Sequence, residues 1–141
     1  MYQPLCTLIV LIIVPATVLA HGPSRQKVTR EITLNAPAVM VWDLISDFCS
    51  IAQWHPSVAA CEGRGANEPG AIRALTIGGP DGPRSHEELP KFDANKMTYK
   101  DKITPTDNSV LAVSTYSSFL SVLDNNDGTS TVKWRAGFYR A

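Results

Sequence analysis

The chain is 141 residues long, and its 13 basic and 13 acidic side chains give a formal net charge of zero at pH 7. A neutral chain without a basic stripe interleaved with aromatic residues is not expected to bind nucleic acid. Its three cysteines and three histidines have none of the spacings typical of metal ligands, and it lacks a glycine-rich phosphate loop. The sequence therefore predicts neither a bound metal nor a cofactor.

Residues 1–20 have the character of a secretory signal. The segment contains no charged side chain, residues 8–14 are almost purely aliphatic, and Val18, Leu19 and Ala20 occupy the positions that a signal peptidase reads. An uncleaved anchor is the alternative, although the apolar run is short for a hydrocarbon core of about 30 Å. We therefore expect cleavage after Ala20, export of the chain, and one domain in residues 21–141.

The first elements predicted after this segment are a strand and an amphipathic helix. Residues 27–34 alternate in the manner of a half-buried strand, and its apolar face consists of Val28, Ile32 and Leu34. The helix that follows has a predicted apolar stripe made of Val41, Leu44, Ile45 and Phe48. Asn35 is the predicted cap of this helix. Pro37 suits its first turn, because a backbone N–H at that position would have no hydrogen-bond partner within the helix.

A second, very short helix and six further strands complete the predicted order. Asp47 or Ser50 can cap this helix, and Pro56 ends it. The predicted strands are residues 58–62, 71–77, 85–92, 96–103, 110–123 and 129–140, with turn clusters at 78–83 and 125–128. Pro90 indicates an edge position or a bulge in its strand. This order predicts an α+β fold whose antiparallel sheet has one apolar, concave face that needs a cover.

Several side chains are candidates for the wall of a cavity on that concave face. They are Trp54 and His55 at the corner between helix and sheet, Arg73 and Glu87 on neighbouring strands, and the aromatic residues Tyr99, Tyr116, Phe119, Trp134 and Phe138. Trp54 can equally be a packing anchor, His55 a surface residue, and the aromatic set an ordinary core. Glu87 and Glu88 point to opposite faces of a strand, so they cannot form a close acid/base pair. A cross-strand ion pair of Arg73 with one of the two glutamates is expected.

Cys49 and Cys61 are the two cysteines outside the predicted signal. One ends the first helical segment and the other lies on the strand that follows the second. In an oxidising compartment the two can pair. Two buried free thiols are an alternative that the sequence leaves open.

A set of short, separated motifs carries a family resemblance. They are Asn35-Ala36-Pro37, Val41-Trp42, Asp47-Phe48, Trp54-His55-Pro56, Gly70, Arg73, Glu87-Glu88-Leu89, Asp93 and Tyr99. These motifs resemble the polyketide cyclase and lipid-transport superfamily (SRPBCC, START-like). The resemblance implies a helix-grip fold, with two short N-terminal helices and a sheet that grips a long C-terminal helix. This sequence stops at Ala141, directly after the last predicted strand, so an uncovered apolar strip of sheet is expected.

Four further segments resemble the MxaD-type periplasmic proteins of methanol oxidation. They are residues 21–28, 96–100 and 116–118, and Trp134 with residues 137–140. The resemblance implies a periplasmic accessory protein whose partners are methanol dehydrogenase and its c-type cytochrome acceptor. Because the sequence contains no nucleophile elbow or Ser-His-Asp set, we expect no enzymatic activity. Two alternatives stay open: a carrier of a small hydrophobic molecule or lipid, and a cyclase-like enzyme with His55 or Glu87 as acid or base.

Overall fold

Within residues 22–104 and 110–140, which the computed structural model describes, seven strands form one antiparallel sheet and two short helices pack against it. The strands are β1 Gln26–Leu34, β2 Val58–Arg64, β3 Ala71–Ile77, β4 Arg84–Asp93, β5 Thr98–Ile103, β6 Val113–Asp124 and β7 Ser130–Arg140. The helices are α1 Ala38–Ile45 and α2 Ile51–Trp54. The predicted signal, residues 1–20, lies outside the described residues.

The strand order in the sheet is β1-β7-β6-β5-β4-β3-β2, so the first strand pairs with the last and the others follow as a meander. The predicted order of one strand, two helices and six strands is confirmed. The pairing of β4 with β5 is irregular between Glu88 and Lys91, which brackets Pro90 as predicted. The pairing of β6 with β7 is irregular between Ser114 and Ser117, where Thr115 adopts a positive φ of 54°.

Helix α1 buries a different stripe from the predicted one. Its buried residues are Ala38, Val41, Trp42 and Ile45. The predicted stripe was wrong for Leu44, which is 57% exposed. Trp42 takes the inward position because its ring packs against Phe92 and Tyr99, with centroid distances of 5.6 and 6.3 Å. The helix ends at Ile45, so Phe48 reaches the core from the following turn.

The helix ends differ in part from the predicted caps. The N-cap of α1 is Pro37 in an extended conformation, so the prediction of an Asn35 cap was wrong. Ser50 is the N-cap of α2 without a side-chain cap bond, while the Asp47 carboxylate accepts a hydrogen bond from the Cys49 N–H at 2.9 Å. Helix α2 ends at Trp54, as predicted from Pro56, because the residue before a proline is held in an extended conformation.

A disulfide joins the turn between the two helices to the sheet. Cys49 and Cys61 are bonded, with a Cα–Cα distance of 5.6 Å. The sequence left this pairing open. The bond closes a loop of 12 residues and ties the beginning of α2 to β2.

The helices cover one face of the sheet, here called the inner face, and leave its first strand exposed. Helix α1 contacts β6 and β7, and α2 contacts β2. The core on the inner face includes Leu89, Tyr99 and Leu120, all at most 2% exposed. Leu34 packs against the core as predicted, but Val28 and Ile32 are 39% and 58% exposed, so the prediction of a half-buried first strand was wrong for most of its length. None of the described helices is long and apolar enough to cross a membrane.

Candidate functional site

An ion pair is buried between two neighbouring strands of the inner face. Arg73 on β3 lies directly opposite Glu87 on β4. The Arg73 Nε donates to Glu87 Oε2 at 2.7 Å, and Nη2 lies 2.5 Å from the same oxygen. The two side chains are 1% and 10% exposed. The predicted cross-strand pair is therefore present, and it is buried.

The turn after α1 completes the surroundings of Arg73. Its Nη1 donates to the backbone carbonyl of Phe48. The guanidinium carbon lies 4.0 Å from the centroid of the Phe48 ring, in a cation–π arrangement. A carboxylate, a carbonyl and an aromatic ring thus hold this cation in place.

A second buried carboxylate lies one strand further along the sheet. Trp134 Nε1 donates to Ser118 Oγ at 2.7 Å, and Ser118 Oγ donates to Asp101 Oδ1 at 2.6 Å. Asp101 is 2% exposed. Burial, and next the charge of Glu87, raise the pKa of Asp101 to about 7. This hydrogen-bonded chain runs across β7, β6 and β5.

Two tyrosines flank this polar cluster, which we define as Arg73, Glu87, Asp101, Ser118 and Trp134. Burial raises the pKa of Tyr99 well above its usual value, and it raises that of Tyr116 to about 12. Both phenols are therefore protonated near neutral pH. Tyr99 packs into the core against Trp42 and Phe48, whereas the Tyr116 ring stacks on Phe138 at 6.3 Å.

The polar cluster opens into a cavity of about 370 Å³. Its polar lining includes His55, Arg73, Glu87, Asp101, Tyr116 and Trp134, and its apolar lining includes Ile51, Val58, Leu75, Ile77 and Ile103. The His55 ring packs edge-on against Trp134 at 5.6 Å. Its Nδ1 accepts a hydrogen bond from the Ser57 N–H at 3.2 Å, so in the neutral ring Nε2 carries the proton.

The structure brings five of the nine predicted cavity residues to this lining, namely His55, Arg73, Glu87, Tyr116 and Trp134. Trp54 packs edge-on against Trp134 at 5.9 Å. Asp101 and Ser118 were missed by the sequence reasoning. The signal for Asp101 was its position two residues after Tyr99, which places both on one face of β5.

Phe119 is a correction, because it lies on the opposite, outer face of the sheet. It follows the buried Ser118 and precedes the buried Leu120, and side chains alternate along a strand. Its ring lies beneath two cations, with Lys100 Nζ at 5.4 Å and the Arg135 guanidinium at 5.8 Å from the centroid. It does not contribute to the inner cavity.

Basic residues from distant parts of the sequence meet on this outer face. Three successive cross-strand rows are Lys27-Gly137-Ser117-Lys102-Glu88, Thr29-Arg135-Phe119-Lys100-Lys91 and Glu31-Lys133-Ser121-Thr98-Asp93. Arg25 reaches over them to Ser117 Oγ at 2.9 Å. The acidic members of these rows, Glu31, Glu88 and Asp93, each lie within 4 Å of a lysine. A basic surface therefore exists that the linear sequence did not reveal, and we call these rows with Arg25 the outer basic face.

Comparisons with known proteins give one family and several similar structures. The model of the family described as polyketide cyclase / dehydrase and lipid transport matches residues 25–141. An uncharacterized protein from Bacillus thuringiensis is 25% identical, with a TM-score of 0.72, over 82% of this chain and 80% of its own. The protein XoxI from Bacillus cereus is 25% identical, with a TM-score of 0.71, over 82% of this chain and 76% of its own. A Thermobifida fusca protein is 30% identical, with a TM-score of 0.70, over 82% of this chain and 74% of its own. No curated protein matches the chain significantly.

Proposed function

The chain belongs to the polyketide cyclase / dehydrase and lipid transport family, and we propose that it binds a small, largely apolar molecule in the inner-face cavity. The observation that carries this proposal is the composition of the cavity wall. Aliphatic side chains from α2, β2, β3 and β5 line it together with the aromatic rings of Tyr116 and Trp134, while the charged side chains belong to one buried polar cluster. A pocket of this kind is typical of small-molecule sites, where apolar walls supply affinity and a few polar groups fix orientation.

The size and position of the cavity support a binding role over an ordinary core. About 370 Å³ of space adjoins the buried residues Arg73 and Asp101. The cavity is open to solvent on one side, so a small molecule can enter it. Its position beside buried charged groups therefore suits a ligand that is mostly apolar and carries a polar group.

Filling the cavity is expected to abolish binding of a neutral fluorescent probe, N-phenyl-1-naphthylamine. Ile103 lines the cavity and is half-buried, so Ile103→Trp places an indole in the ligand space. We expect saturable binding by the unaltered protein and at least a tenfold loss in the variant, which corresponds to about 1.4 kcal/mol. Ile72→Trp is the matched control, because Ile72 is 41% exposed on the outer face. Equal binding by both variants would contradict the proposal.

For the biological role of this domain, we propose that it is a periplasmic accessory protein of methanol oxidation. Two observations support this role. The first is the resemblance of residues 21–28, 96–100 and 116–118, and of the β7 ending, to MxaD-type proteins. The second is the outer basic face, which suits an acidic protein surface because complementary charge speeds and orients association. The proposed partners are methanol dehydrogenase and its c-type cytochrome.

The choice of an acidic protein over other anionic partners follows from Phe119. Lys100 and Arg135 lie over its ring, so the ring faces are not free to stack on nucleic-acid bases. Because the same two cations cover the ring, this surface also offers no exposed apolar side chain at Phe119 that could insert into a lipid layer. Charge pairing remains as its main means of recognition, and the carboxylates of an acidic protein surface are the partners that we propose for it.

Reversing charge on the outer basic face is expected to reduce the effect of this protein on electron transfer between methanol dehydrogenase and cytochrome c. We expect Lys100→Glu/Arg135→Glu to weaken that effect about tenfold at low salt, and salt to weaken it in the unaltered protein. Arg84→Glu is the control, because Arg84 pairs with Glu62 of β2 and neither residue belongs to the three rows of the outer basic face. His55→Ala is expected to leave the effect intact. A loss of more than tenfold with His55→Ala, in a folded protein, would favour the cyclase-like enzyme instead.

A further inference from the structure

We propose that the polar end of the inner-face cavity selects a cationic amine on an apolar molecule, with Asp101 as the anionic partner. This inference rests on the proposed ligand-binding function of the cavity. In the polar cluster, the charge of Arg73 is matched by a neighbouring carboxylate, whereas the carboxylate of Asp101 is hydrogen-bonded to a neutral group.

The charge of Arg73 is already matched within the protein. Its Nε and Nη2 both face Glu87 Oε2, and Nη1 faces the Phe48 carbonyl. This pair therefore contributes no net charge to the cavity. A carboxylate ligand would meet an arginine that is already held and two buried acids, which disfavours it.

Among the described residues no lysine or arginine forms an ion pair with Asp101, and the charge of Arg73 lowers its pKa less than that of Glu87 raises it. The described hydrogen bond of Asp101 comes from the neutral Ser118 hydroxyl, at Oδ1. A buried carboxylate without a matching charge is costly, so it takes up a proton or a cation. The pKa of about 7, raised by burial and by Glu87, reflects that cost. A ligand ammonium group would supply the missing charge.

The walls next to Asp101 also suit a cation. Trp134 and Tyr116 line the same cavity, and aromatic faces attract ammonium groups, most strongly where water is excluded. The titratable groups around Asp101 are Glu87 on β4, Arg73 on β3, Tyr99 on β5 and Tyr116 on β6, and His55 also lines the cavity. Among these, Glu87 and Arg73 carry opposite charges, of which that of Glu87 acts more strongly on Asp101, and the tyrosines are protonated.

The test compares three probes of similar size, 2-phenylethylamine, 2-phenylethanol and 3-phenylpropionate, by the change in tryptophan fluorescence at pH 8. We expect the amine to bind at least tenfold more tightly than the alcohol or the carboxylate. Asp101→Asn is expected to remove this preference while binding of 2-phenylethanol persists. Asp124→Asn is the matched control, because Asp124 is an exposed acid at the end of β6.

A pH titration of the unaltered protein tests the proposal even if the Asp101→Asn variant does not fold. The ammonium stays charged between pH 6 and 8, whereas Asp101 ionises over this range, so affinity for the amine is expected to rise about tenfold. If the affinity rises equally in a His55→Gln variant, the rise is assigned to Asp101. If the rise is lost in that variant, this assignment is overturned. An affinity that does not change with pH overturns the proposal.

Failure of this inference and failure of the proposed function give different results. If N-phenyl-1-naphthylamine binds in the cavity but the amine binds no more tightly than 2-phenylethanol, amine selection is wrong and the apolar binding site stands. If neither the neutral probe nor any of the three phenyl compounds binds, both proposals are overturned.

Discussion

Replacing Arg73 with methionine is expected to lower the free energy of unfolding by about 3–5 kcal/mol, the range typical of breaking a buried ion pair at one partner. The methionine leaves the Glu87 carboxylate buried without its cation and leaves the Phe48 carbonyl without its donor. It also removes the cation from the Phe48 ring. Urea denaturation of both proteins, analysed for equal slopes, measures the difference.

Two comparison variants separate lost charge pairing from a general effect of substitution. Arg84→Met removes an arginine that is 46% exposed and paired with Glu62, so a change of no more than about 1 kcal/mol is expected. The double variant Arg73→Met/Glu87→Leu removes both buried charges and is expected to recover most of the lost stability. If Arg73→Met changes the stability as little as Arg84→Met, the buried pair does not stabilise the sheet in the way described.

Replacing both disulfide cysteines with alanine, Cys49→Ala/Cys61→Ala, is expected to lower the free energy of unfolding by about 3 kcal/mol. The bond closes a loop of 12 residues, so its loss increases the conformational entropy of the unfolded chain. The turn between the helices carries Phe48, whose carbonyl and ring hold Arg73. Thermal unfolding under oxidising conditions measures this loss.

The reduced form of the unaltered protein provides the control for this experiment. With a reductant present, the unaltered protein and the double variant are expected to unfold at nearly the same temperature. After alkylation of the oxidised protein, mass spectrometry should find neither cysteine alkylated, because both sulfur atoms are in the disulfide. Alkylation of Cys49 and Cys61 in the folded, oxidised protein would contradict the pairing.

Local patterns predicted the elements well because they depend on neighbours in sequence. Alternation identified the strands, and glycine-rich and asparagine-rich clusters identified the turns, where Asn126 and Gly128 adopt positive φ. The pairing of Arg73 with Glu87 was also predictable, because β3 and β4 form a hairpin that brings the two residues into register. The helix stripe was less predictable, because packing of the large Trp42 ring decides which side of α1 faces the sheet.

The sequence by itself thus determined the order of the strands, the short helices and the cross-strand ion pair, since each follows from alternation, chain reversal or a short loop. Tertiary structure decided the contents of the site. Trp134, Ser118 and Asp101 lie on three strands whose relative register follows from pairing across the whole sheet. The outer basic face likewise depends on β1 pairing with β7, which places Lys27 opposite Gly137, at the far end of the sequence, and so on one surface with Arg135 and Lys100. Such contacts require the complete set of strand registers, which no local pattern contains.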